Sequence, residues 1–214
     1  MRYFWHFVIS IGLLAIILFA FFGTSLSFGN KITYTDELVR TEPTISFVDP
    51  VLGKPDAKVT VVDFGDYGCN DCAALDQTLI GLVADDFPND LRIVWKDMPN
   101  VSQHKEALNA AIAARCAGDQ GKFWEYHTAL MKNQNILNAE FYTTTAKTLE
   151  LKDSTFSSCY SKQVPAPIIQ QTYEEGIALG ISATPTLYIN KIKYTGAMDT
   201  GTLKSIIRQT INQK

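Results

Sequence analysis

The pattern of apolar and polar positions changes period several times along the chain. From Phe7 to Phe22 nearly every residue is apolar. With Tyr3 to His6 the stretch reaches the roughly 20 residues needed to cross hydrocarbon. Residues 24 to 57 are polar and irregular, punctuated by Pro43, Pro50, Gly53 and Pro55, with one apolar patch from Ile45 to Val48. This predicts a spacer with room for one edge strand. The β-branched run Lys58 to Phe64 predicts a central strand that stops at the turn Gly65-Asp66-Tyr67-Gly68. Beyond it Leu75, Leu79, Leu82 and Val83 recur at helical spacing, predicting a helix that starts near Cys69. Leu91 to Lys96 predicts the next strand, which completes a strand–helix–parallel strand unit.

From Gln103 to about Ser158 the spacing is helical, with an alanine-rich stretch, a break at Gly118 and Gly121, and the aromatic-bearing segment KFWEYHTALM. That is too long for an ordinary connection. It predicts a helical subdomain, about residues 103–164, inserted in an α/β unit. Pro165 to Gly180 reads as a helix opened by proline and closed by glycine. TLYIN and IKYTG read as two short strands meeting at Asn190-Lys191, and Leu203, Ile206, Ile207 and Ile211 mark a final amphipathic helix. No internal repeat is visible. The predicted fold class is α/β: a mixed sheet with a helical insert, preceded by a transmembrane segment. The predicted boundaries are 1–23 for the anchor or signal, 24–55 for the spacer and 56–214 for the folded domain.

Composition refines this picture. A chain of 214 residues, 46% of them hydrophobic, can bury one substantial core. Its 19 Lys and Arg against 22 Asp and Glu, with no basic run after the tail, argue against nucleic acid as a partner. Arg2 alone precedes the apolar run, which places the N-terminus in the cytoplasm and exports the rest of the chain. A retained anchor and a cleaved signal peptide both fit, since the small residues of GTSLSFG offer a cleavage site. Either way the cysteines reach an oxidising compartment. Four cysteines are present, and only Cys69 and Cys72 are close in sequence, whereas a four-cysteine zinc site normally uses two close pairs. No metal and no cofactor is implied. Cys116 and Cys159 stand either as a second, stapling pair or as two buried thiols.

Cys69-Asn70-Asp71-Cys72 follows a buried strand and opens a helix, the setting in which C-x-x-C signals redox chemistry. Residues at i and i+3 share a helix face, so the sulfurs can close a small disulfide. At the helix start, free N–H groups and the helix dipole favour the Cys69 thiolate, while Cys72 lies one turn in. Cys69 is therefore the attacking sulfur and Cys72 the resolving one. The acidic neighbours Asp66 and Asp71 push the other way, toward a raised thiolate pKa and a milder oxidant. Asp63 interrupts an apolar strand and Lys96 ends the next; in adjacent parallel strands the two can approach each other. A buried carboxyl of this kind can pass a proton to or from Cys72, with a structural ion pair as the plainer role. Thr184-Pro185 precedes a strand, where proline cannot donate to a ladder, and spacing leaves its cis or trans state open.

Taken together, FGDYGCNDC, the helical insert and SATPTLYIN resemble the DsbA-like family of thioredoxin-fold proteins, over roughly Asp56 to Lys214. IVWKDMP and AARCAGDQGKFWEYHTAL are also typical of that family. The resemblance implies a thioredoxin-like sheet with an inserted helical subdomain and thiol-disulfide oxidoreductase activity, with Cys69 as the exposed nucleophile. It maps the family's cis-proline loop onto Thr184-Pro185, where an extended substrate peptide would add as a strand. The acidic residue and lysine that assist proton transfer map onto Asp63 and Lys96. It further implies a structural disulfide between Cys116 and Cys159, whose loop closure would contribute at most about 3 to 4 kcal/mol. Asn70-Asp71 departs from the Pro-His of strongly oxidising members, so disulfide donation is less secured by the match than the thiol chemistry.

His104 and His127 lie in helical pattern without metal spacing, and a surface or boundary role is expected for each. Phe123, Trp124 and Tyr126 are expected in the insert's core. The leading function is oxidation of thiols in exported proteins or peptides by a monomeric catalytic domain outside the cytoplasm, in a periplasm or at a cell surface, reoxidised by a membrane redox partner. The alternatives are an isomerase or reductase using the same site, and a non-catalytic peptide-binding module.

Overall fold

The computed structural model describes residues 41–213. A five-stranded sheet is formed by β1 (Val51–Gly53), β2 (Val59–Gly65), β3 (Leu91–Asp97), β4 (Thr186–Ile189) and β5 (Ile192–Thr195), in the order β1-β3-β2-β4-β5. β2 and β3 run parallel, and the other pairs are antiparallel. Helix α1 (Asn70–Gly81) continues into one π turn, Leu82–Asp86, and connects β2 to β3. The β4–β5 hairpin turns at Asn190 and Lys191 as expected, with Asn190 at φ 53°. The sheet also takes in β1, whose three residues lie in the stretch read as spacer and pair with Arg92 to Val94.

Between β3 and β4 the chain forms α2 (Ala107–Gly118), α3 (Phe123–Lys132), α4 (Ala139–Thr148), α5 (Asp153–Ser161) and α6 (Ala166–Ala178). The last helix is α7 (Thr200–Asn212), capped by Asp199, which accepts the Thr202 N–H at 3.0 Å. Strand alternation divides the buried residues between two faces. Val59, Val61, Ile93, Leu187 and Ile189 pack with Leu75 and Leu79 of α1 and with Leu203 and Ile207 of α7. On the other face Val62, Phe64, Val94 and Tyr188 pack with Leu179 and Ile181, just beyond α6. A third cluster fills the insert with Tyr126, Leu130, Tyr142 and Phe156, and it runs on to Tyr67, Cys69, Cys72 and Trp95. The C-x-x-C segment thus sits where the insert's core meets the sheet.

Among the described residues no helix is long and apolar enough to cross a membrane. The expected transmembrane segment 1–23 and most of the expected spacer lie outside the described residues.

Candidate active site

β2 delivers the chain to a turn whose fixity comes from Asp66. Its carboxylate accepts the N–H of Gly68 at 2.7 Å and of Asn100 at 2.8 Å, and faces His104 Nδ1 at 2.8 Å. A Cβ at Gly68 would collide with the His104 ring, so the turn closes this tightly only with glycine. His104 is part-exposed at this boundary, as expected. From the insert, the Gln134 Nε2 donates to the carbonyls of both Tyr67 and Cys69 at 2.9 Å.

Cys69 is the N-cap of α1: its backbone is extended, and its Sγ accepts the Cys72 N–H at 3.2 Å. Sulfur here takes the place that a Ser or Asp oxygen fills in most helices, and it meets the unpaired N–H groups of the first turn. The peptide bond Thr184-Pro185 is cis. The Thr184 carbonyl lies 3.5 Å from Cys69 Sγ, close enough to accept from the thiol. The Cys69 thiol is lowered to about 6. The Cys72 thiol contributes most, by donating to the Cys69 sulfur; the Cys72 N–H and the Thr184 side chain also favour the thiolate, while burial and the Asp66 charge oppose it. Asp66 raises this thiol, as expected of an acidic neighbour, but it is the smallest of these influences and the net shift is downward.

Cys72 is 1% exposed, and burial pushes its thiol far up, reinforced by the hydrogen bond to Cys69 and by the nearby charges of Asp63 and Cys69. Both sulfurs are free. The pair is thus polarised, with one sulfur ready to ionise and one that holds its proton.

Asp63 is buried, and its Oδ1 has no hydrogen-bond partner. Burial first, then the charges of Asp76 and Cys69, push its carboxyl well above the usual range. The expected approach of Lys96 to Asp63 does not occur. The β2–β3 register sets Asp63 opposite Trp95 and Phe64 opposite Lys96, so Lys96 projects from the other face of the sheet. There its Nζ lies 2.9 Å from Asp49 and 3.1 Å from Glu175, all three buried. Glu175 also accepts from the Thr44 N–H and hydroxyl, which ties residues 44–49 to β3 and α6. Of the two residues expected to bind substrate, Thr184 meets Cys69 through its carbonyl, and Pro185 follows it across the cis bond.

His127 departs from the boundary role expected for it. It is fully buried in α3, with Nδ1 2.8 Å from the Tyr67 hydroxyl and Nε2 2.8 Å from Asp76 Oδ1. Rings of Tyr67, Trp95, Phe123 and Trp124 surround it at centroid distances of 4.6 to 5.5 Å. Asp76, His127 and Gln134 were not singled out as site residues from the sequence. A signal existed for two of them: Asp76 falls on the buried stripe Cys72, Leu75, Leu79, and His127 on the stripe Phe123, Leu130, Met131.

Away from the site, Cys116 of α2 and Cys159 of α5 are joined, with a Cα–Cα distance of 5.8 Å. Among the described residues no group of three or more His, Cys, Asp and Glu side chains is placed to hold a metal ion.

Residues 46–209 match the family model described as Thioredoxin. The chain is 27% identical over 193 residues to disulfide bond formation protein D of Bacillus subtilis, covering 86% of each. The structure of oxidised BdbD from the same organism superimposes with a TM-score of 0.68 at 27% identity, covering 80% of this chain and 96% of that one. The chain is also 32% identical over 159 residues to Na(+)/H(+) antiporter NhaA 1 of Salinispora arenicola, covering 74% of this chain. It spans about a quarter of that antiporter's length.

Proposed function

The chain belongs to the thioredoxin family, in its DsbA-like form with a helical insert, and on that footing we propose that it donates disulfides to thiols of exported proteins. The observation that carries this is the asymmetric pair at the mouth of α1. A Cys69 thiol held at about 6, beside a Cys72 thiol pushed up by burial, stabilises the reduced form of the pair. A protein whose reduced form is stabilised gives its disulfide away readily.

In the oxidised protein a substrate thiolate attacks Cys69 Sγ, the Cys69–Cys72 bond breaks, and Cys72 leaves as a thiolate that takes up a proton. The substrate's second thiol, once deprotonated, attacks its own sulfur in the mixed disulfide, and Cys69 leaves as a thiolate. The substrate ends with a disulfide and the protein with a reduced pair. Asp63 is the proton donor to Cys72 in this proposal, because it is a buried carboxyl whose pKa burial raises well above the usual range. Lys96 has no part in the step, being held by Asp49 and Glu175 on the opposite face. The Thr184-Pro185 segment beside Cys69 receives the substrate backbone as an added strand. The name of the Bacillus relative, a disulfide bond formation protein, supports this direction of transfer. The N-terminal apolar run anchors or exports the domain, the chemistry takes place outside the cytoplasm, and a membrane redox partner restores the disulfide.

The equilibrium reduction potential of the Cys69–Cys72 pair against a glutathione buffer tests this. A value toward about −120 mV is expected for a disulfide donor, whereas one near about −270 mV would assign the chain to the reducing side.

A further inference from the structure

Each of the two attacks in the exchange needs a substrate thiol that has lost its proton, and Asp63 and Cys72, both buried, serve only the sulfur that leaves. A cysteine thiol with a pKa of about 8.5 is ionised to only a few per cent at pH 7. The loop between β3 and α2 supplies a group suited to the task. His104 lays its ring against Gly68, the residue before Cys69, leaving no room there for a Cβ. Its Nδ1 lies 2.8 Å from Asp66 Oδ2, and that oxygen also accepts the Asn100 N–H, so it is an acceptor here. Nδ1 thus carries the ring's proton and Nε2 keeps a lone pair. Among the described residues Nε2 has no hydrogen-bond partner, and the side chain is 29% exposed against 0% for Asp66. A buried carboxylate that fixes the tautomer of a ring open to solvent is the arrangement of a general base. The same loop borders the segment proposed for the substrate backbone. The His104 N–H donates to the Asn100 carbonyl at 2.8 Å, and Asn100 lines a cleft of about 150 Å³ with Ser182, Ala183 and Thr184. The Thr184 carbonyl is in turn 3.5 Å from Cys69 Sγ.

We propose that His104 is the general base of the exchange: oriented by Asp66, its Nε2 takes the proton of each substrate thiol that attacks. In the first attack the S–H proton passes to Nε2 and the substrate sulfur bonds to Cys69 Sγ. The Cys69–Cys72 bond breaks, its electron pair goes to Cys72, and Cys72 takes up the proton of Asp63. His104 releases its proton to solvent and accepts that of the second substrate thiol, whose sulfur bonds to the first and frees Cys69 as a thiolate. His104 thereby passes two protons to solvent and Asp63 regains one, so the two protons lost by the substrate end on Cys72 and in water. The titratable groups of the two segments in contact are Asp66, Tyr67 and Cys69 in the turn, and Lys105 and Glu106 beside the imidazole in its own loop. The Tyr67 hydroxyl is engaged by His127, Glu106 accepts from Asn109 and Tyr142, and Lys105 is exposed. Asp66 is therefore the charge bonded to the ring.

This inference rests on the proposed chemistry, and its test does not depend on the direction of transfer. H104N keeps an N–H donor for Asp66 and removes the base. Rates of attack on the oxidised protein are measured with a reduced cysteine peptide and with 2-nitro-5-thiobenzoate, an aromatic thiol already ionised at pH 7. With the peptide, H104N is expected to be about ten- to thirtyfold slower at pH 7, the upper figure being all that full ionisation of a thiol of pKa about 8.5 supplies, and to converge on wild type above about pH 9. With the aromatic thiolate the two proteins should react alike. A full rate for H104N with the peptide at pH 7 would overturn the proposal. So would an equal deficit with both thiols, which would make His104 a support for the turn at Gly68 and nothing more. Should H104N fail to fold, the wild type decides: its rate with the peptide should be well developed by pH 7, and a rate that only follows the substrate's own ionisation, with a midpoint of about 8.5, overturns the proposal. A strongly reducing potential for the Cys69–Cys72 pair would instead refute disulfide donation while leaving these comparisons intact, because a base that assists attack also assists, as the acid, departure of the same sulfur in reverse.

Discussion

The two cysteine pairs of this protein are almost equally buried, yet they are built for opposite ends. Cys69 and Cys159 are each 9% exposed, and Cys72 and Cys116 are at 1% or less. Accessibility therefore does not separate a reactive pair from a structural one here. The difference lies in which end of a helix each sulfur meets. Cys69 caps the start of α1, where backbone N–H groups point at it and favour a thiolate. Cys116 and Cys159 sit in the last turns of α2 and α5, among carbonyl oxygens, with an Asp119 carboxylate oxygen 3.7 Å from the Cys159 sulfur. Negative surroundings disfavour thiolates, and a disulfide whose sulfurs leave poorly exchanges slowly.

The largest effect that would break this comparison is on exchange itself. Replacing Cys69 by Ser should abolish disulfide transfer to a peptide dithiol, whereas Cys72→Ser should accumulate mixed disulfides visible by mass. Full activity without Cys69 would end the assignment of roles. Next in size is the structural pair. Replacing both Cys116 and Cys159 by Ala opens a loop with a sequence separation of 43 and should lower unfolding free energy by up to about 4 kcal/mol. Denaturant titration measures that loss, and the Cys69 titration should not follow it. A large shift at Cys69 would mean that the two pairs are coupled.

The smallest effect sharpens the comparison through pH. The Cys69 thiol is lowered from 9.0 to about 6 in the folded protein, so the folded state binds fewer protons than the unfolded state between those values. Stability of the reduced protein should therefore rise from pH about 6 to about 9 and be lost as pH falls through 6. Cys72, raised by folding, takes back stability only above the unfolded thiol range. The disulfide-bonded pair at 116 and 159 contributes no such slope, and alkylation at Cys69 should titrate with the same midpoint near 6.

The strand–turn–helix around the cysteines was legible because each of its signals is local: a β-branched run, a glycine-bounded turn and leucines at helical spacing. Asp63 was legible as an intruder in an apolar strand. Lys96 was misplaced for a reason that local pattern cannot repair. Which face a residue takes depends on pairing register, and a shift of one position moves it through the sheet. His127 was misjudged because its partners lie 51 and 60 positions away. β1, only three residues long, is too short to show an alternation of its own.

Gln134 gives the insert's sequence an uneven tolerance to rearrangement. Its one amide nitrogen clasps the carbonyls on either side of Gly68 from a short 3-10 turn just after α3. New chain ends or added residues at the α4–α5 connection would leave that clasp fastened. A cut between α3 and α4 would undo it while sparing every strand, so circular permutants opened there should keep the sheet yet lose the fixed approach of the chain to its first cysteine.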